Sequence, residues 1–117
     1  MHDVAHPDSN GVHMTWVLLL LAAVLEAVWA IALKRSHGLT DLPATIVFVA
    51  ALAASMALLA AALRHLPVGT AYAVWTGAGA VCAAVAGMLL MGEPATAQRI
   101  AAIGLVAAGI AWLAMAG

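Results

Sequence analysis

The chain has 117 residues, of which 67% are hydrophobic and only 8% charged, with mean hydropathy +1.11. A water-soluble domain this small has too much surface for its volume to hide so many apolar side chains, so lipid is the expected solvent. The net charge of −1 leaves no basic surface for nucleic acid, and the single Cys82 excludes an internal disulfide.

The first thirteen residues, MHDVAHPDSNGVH, are polar, hold no Lys or Arg, and run up to a second methionine, Met14. They read as a dispensable, disordered extension, or as the product of an upstream start codon. His2, His6 and His13 are too irregularly spaced to read as a metal site, and neither metal nor cofactor is expected. A cleaved signal peptide is not expected either. The segment lacks a positive n-region, and the apolar run continues past a glutamate into more helix.

Spanning the hydrocarbon takes about 20 apolar residues in helix. Four segments qualify within a domain covering 14–117: about 15–36, 44–63, 68–91 and 97–116. Pro43, Pro67 and Pro94 each stand ahead of an apolar run, where a missing N–H costs least. The fold expected is an all-α, four-helix integral membrane bundle with short loops. Lys34, Arg35 and Arg99 fall on one side and Arg64 alone on the other. So small a positive-inside bias permits both orientations and favours an antiparallel, dual-topology homodimer.

Every charged residue except Glu26 lies at the edge of an apolar run. A carboxylate at mid-membrane costs on the order of 2.5 to 3.5 kcal/mol. Deprived of water, a carboxyl favours its protonated form unless a cation compensates. Such a group is suited to exchange a proton for a cation. The bland alternative is a neutral Glu bonded to a neighbouring helix.

The neighbours sharpen that reading. Ala22, Glu26, Trp29 and Ala30 share one face by i+3 and i+4 spacing. Tyr72, Trp75 and Gly79 share another, and Ser55 is the one polar side chain between Thr45 and Arg64. Gathered around Glu26, these groups form a small polar pocket walled by aromatics. Taken singly, Tyr72 and Trp75 also suit an interfacial belt. Gly77 and Gly79 read as a hinge or as a close-packing site. Ala101, Gly104, Ala108 and Ala111 give the fourth helix a small-residue association surface, with Trp112 as an interface anchor. Cys82 reads as a small packed hydrophobe.

From Met14 to about Met115 the chain resembles the small multidrug resistance (SMR) family. The resemblance rests on the lone glutamate of the first helix, on LKRSHGLT, on LPVGTAYAVWTGAGA, and on GEP followed by Arg99. It implies a four-helix bacterial inner-membrane protein that works as an antiparallel homodimer. EAVWAIALK and GTAYAVWTGAGA resemble the guanidinium-exporter branch; drug exporters typically carry glycine at the Trp29 position.

Carried over residue by residue, the resemblance makes Glu26 the shared proton and substrate site. Trp29, Ser55, Tyr72 and Trp75 become its surround, Gly77 and Gly79 the bend of the third helix, and Gly104, Ala108 and Ala111 part of the dimer contact. The expected activity is proton-coupled export of guanidinium and small guanidinyl cations. Export of quaternary ammonium or lipophilic drug cations is the alternative within transport. An accessory subunit of a heteromeric membrane complex is the alternative outside it. No nucleophile-and-base pair points to an enzyme.

Overall fold

A computed structural model describes residues 9–116, and these form four α-helices. They are α1 (Ser9–Arg35), α2 (Leu42–Leu63), α3 (Val68–Leu90) and α4 (Ala97–Ala116). All four are long and apolar enough to cross a membrane, as the apolar runs predict. Lipid cannot hydrogen-bond a free amide, so a spanning segment must satisfy its backbone internally, and the helix does so.

The helix ends follow local chemistry. Asp41 caps α2, its carboxylate accepting from the Ala44 N–H at 3.4 Å, and Pro43 sits in the first turn. Pro67 precedes α3, and the Thr96 hydroxyl accepts from the Arg99 N–H at 3.2 Å to start α4. Each side-chain cap of this kind contributes about 1 kcal/mol.

Between α1 and α2, buried Ser36 organises the turn. Its hydroxyl donates to the Leu33 carbonyl at 2.7 Å and accepts from the Leu39 N–H at 3.0 Å. The Ser36 carbonyl takes the N–H groups of Thr40 and Asp41, both at 2.9 Å. These bonds hold His37 and Leu39 at φ 52° and 72°, a region non-glycine residues seldom occupy.

One expectation needs correction. Residues 9–13, placed in the polar extension, form the first turns of α1. Polar side chains do not stop a helix, and an apolar run marks only its lipid-immersed length. The Thr15 hydroxyl bonds back to the Gly11 carbonyl at 2.9 Å, within this continued helix. The rest of the expected extension, with His2 and His6, lies outside the described residues.

Packing is centred on α1, which lies against both α2 and α3; α4 touches α3 alone. The core joins Leu19 and Ala22 of α1, Leu59 and Ala62 of α2, and Ala71, Val74 and Trp75 of α3. It therefore sits toward the end of the bundle where α2 turns into α3. Alanines let the helix backbones approach, and in lipid that close packing replaces the hydrophobic drive available in water. Not one described residue of α4 is buried.

Candidate functional site

Next to this core, three helices meet in a short hydrogen-bonded chain. The Trp75 indole N–H of α3 donates to the Ser55 hydroxyl of α2 at 3.0 Å. Ser55 in turn donates to the Ala22 carbonyl of α1 at 2.7 Å. Ser55 is fully buried and Trp75 nearly so, so neither bond competes with water. In an α-helix the Ala22 carbonyl is also the acceptor for the Glu26 N–H. The chain therefore ends on the turn that presents Glu26. Replacing Ser55 with Ala strands the indole N–H and is expected to lower stability by about 1 to 2 kcal/mol. Thermal unfolding in detergent checks this; an unchanged melting temperature contradicts it.

Glu26 itself lies against α3 at Gly79. The glycine is buried, and a Cβ built there would collide with the Glu26 carboxyl and stand 2.8 Å from the Glu26 Cβ. Gly79 thus supplies the space the carboxyl occupies. The Glu26 Oε1 is buried and accepts no hydrogen bond among the described residues. One turn further along α1, the Trp29 indole N–H is buried and likewise unpartnered. The Trp29 ring meets Phe48 of α2 edge-on, with centroids 6.0 Å apart. An unpaired acceptor and an unpaired donor, each next to apolar helix, are costly unless a ligand or proton serves them.

The other predicted residues are distributed around this centre. Tyr72 packs against Trp75 with ring centroids 5.4 Å apart, but it is 54% exposed. It lines a separate cleft of about 440 Å³ between α3 and α4, with Thr76, Gly77 and Ile110. Gly77 faces α4, where a Cβ would meet Ile110 Cδ1 at 2.5 Å. The two glycines therefore serve different neighbours within an unbroken α3. Gly104, Ala108 and Ala111 are exposed on α4.

Phe48 and the Ala22 carbonyl were not anticipated. Phe48 precedes Ser55 by two helical turns and so shares its face, a signal that was available. A backbone acceptor leaves no trace in composition.

The sequence comparisons bear on the same helices. The family described as Small Multidrug Resistance protein matches residues 14–106. The chain belongs to the Small Multidrug Resistance family. A protein of Citrobacter freundii named guanidinium exporter is 56% identical over 97 residues, 83% of this chain and 92% of its own. A guanidinium exporter of Salmonella typhimurium strain LT2 is 53% identical over the same length and shares. One from Yersinia pseudotuberculosis is 52% identical over 103 residues, covering 88% of this chain and 99% of its own. The SMR match takes in Glu26, Trp29, Ser55, Tyr72, Trp75, Gly77, Gly79 and Gly104. With four spanning-type helices and bacterial SMR relatives, this is a multi-pass protein of the bacterial inner membrane.

Proposed function

We propose that this SMR protein is a proton-coupled antiporter exporting guanidinium and small substituted guanidinyl cations. The observation that carries the reading is the pair of unpartnered groups on α1, the Glu26 carboxyl and the Trp29 indole. Relatives named guanidinium exporters, similar over most of their length, support it.

The chemistry suits the cation. Guanidinium is planar and offers parallel N–H donors that engage a carboxylate in bidentate fashion. Trp29 provides a π-face one turn away, and Trp75 and Tyr72 supply further aromatic surface. Ser55 fixes the Trp75 indole while tying α2 and α3 to the turn before Glu26. Because one carboxyl serves both ligands, a proton must leave before the cation binds, and the cation must leave before the proton returns. No covalent bond is made or broken, so the activity is transport and not enzymatic.

Four thin helices offer little width in which one protomer could enclose a pathway. The exposed face of α4, with Gly104, Ala108 and Ala111 beside Leu105 and Trp112 at 75% and 73% exposure, suits association with a second copy. In an antiparallel homodimer two Glu26 carboxyls share one site and their titrations couple. Exchange of conformations between the two subunits then turns the opening to the other side. Gly77 and Gly79, the two glycines in the middle of α3, are where that bend would fall.

Competition is the test. Guanidinium binding to the purified protein, followed by titration calorimetry, is expected to weaken as pH falls and to release protons. Affinity independent of pH overturns the shared-site reading. Trp29→Gly removes the nearest π-face and is expected to weaken guanidinium binding by about fivefold or more. Unchanged affinity in that variant assigns Trp29 to packing alone.

A further inference from the structure

The face of α1 opposite Glu26 forms the floor of a second cavity, of about 540 Å³. At 3.6 residues per turn, Val24, Val28, Ile31 and Arg35 fall together on that side. Val47 of α2 and Ala86 of α3 belong to its walls. Apart from Arg35 the side chains lining this groove are apolar or, in Cys82, a thiol.

Its dimensions and charge identify an occupant. From Val24 to Arg35 the helix rises about 16 Å. That is roughly half of a ~30 Å hydrocarbon layer, the depth of one leaflet. Arg35 ends α1 and is exposed, and the end of a bilayer-length apolar helix belongs at the level of the headgroups. Arg99 is ion-paired with Glu93 at 3.2 Å, but no carboxylate among the described residues lies within ion-pair distance of Arg35. A free guanidinium at the head of a leaflet-deep apolar groove matches a phosphate with a hydrocarbon tail.

We infer that this groove holds one anionic phospholipid, an acyl chain lying along Val24, Val28 and Ile31 with its phosphate on the Arg35 guanidinium. Its α1 residues lie on the side of that helix away from Glu26, and none of the lining residues belongs to the Glu26 seat. Its exposed valines, Val24 at 51% and Val28 at 40%, are covered by the chain. Anionic lipid is preferred because Arg35 supplies a positive charge with no carboxylate partner among the described residues.

Native mass spectrometry of the full chain, titrated with dioleoyl phosphatidylglycerol or dioleoyl phosphatidylcholine, tests this. The unaltered protein is expected to retain phosphatidylglycerol roughly fivefold better, the weight of one cation at an anionic headgroup. Arg35→Gln is expected to bring the ratio near one. Ala86→Phe fills the groove and is expected to reduce retention of both lipids. Equal retention of the two lipids by the unaltered protein overturns the proposal. So does a shift in the monomer–dimer balance by Ala86→Phe with phosphatidylglycerol retention intact, since that assigns the face to a second copy.

A second measurement needs no variant. In bicelles, trace phosphatidylglycerol carrying a spin label on its acyl chain should broaden the Val28 and Ile31 methyl resonances more than labelled phosphatidylcholine does. Equal broadening by both lipids overturns the preference directly.

Discussion

Glu26→Gln is expected to abolish guanidinium transport driven by a proton gradient, with flux reduced to that of empty liposomes. Glutamine keeps the size and hydrogen-bonding capacity of the side chain but carries no exchangeable carboxyl proton and no negative charge. Glutamine cannot ionise and so places no charge in the membrane, and the variant should fold at least as stably as the parent. Loss of transport with an unchanged or raised melting temperature therefore points to chemistry at Glu26. Retained coupled transport would place the proton site elsewhere. An accessory subunit without transport of its own predicts no flux in either protein.

The second large effect is expected at Gly79. A methyl group there meets the Glu26 carboxyl and approaches the Glu26 Cβ, an atom fixed to the α1 backbone. The carboxyl can swing away by side-chain rotation, but the Cβ cannot. Gly79→Ala must separate α1 from α3 or expel the carboxyl from its seat. Overpacking of this kind costs about 1 to 3 kcal/mol. Guanidinium affinity should fall about tenfold or more as the carboxyl is displaced.

Gly77→Ala is the control. Its nearest atoms are Cδ1 and Cγ1 of Ile110, at 2.5 and 2.7 Å, the outer arm of a side chain that can rotate away. Its effect on binding should be several-fold smaller than that of Gly79→Ala. Binding titrations on both variants, alongside thermal unfolding, separate the cases. Equal losses at the two positions would mean that both glycines act as a flexible pair and that the seat for Glu26 is incidental.

These two substitutions also show where sequence and structure part company. Spacing along α3 identifies both glycines but not which neighbour each one faces. Residues two apart on a helix point in nearly opposite directions, so Gly77 meets α4 while Gly79 meets α1. Tyr72 shares an arc with Trp75 and Gly79, yet it lies at the edge of that arc and opens toward the α3–α4 cleft. An i, i+3, i+7 pattern defines a stripe, and only tertiary packing decides where the stripe ends.

What was readable had strong physical signals. Four runs long enough for a bilayer, separated by Pro43, Pro67 and Pro94, give the bundle before any coordinates. Glu26 is marked by its isolation from water, and Ser55 by being the lone hydroxyl in an apolar helix. The start of α1 was not readable in the same way, because Ser9–His13 hold a single large apolar side chain, Val12, and no apolar run marks their helix. The groove ending at Arg35 was hidden for a related reason. Apolar residues cover α1 on nearly every side, so composition alone does not tell a packed face from a lipid-filled one.

The most direct measurement is radiolabelled guanidinium uptake into liposomes containing the purified protein, with an imposed proton gradient and tetraalkylammonium as the competing cation. The proposed mechanism predicts gradient-driven guanidinium flux that exceeds tetraalkylammonium flux and disappears in Glu26→Gln. Guanidinium flux that ignores the proton gradient, or that survives in Glu26→Gln, would contradict it.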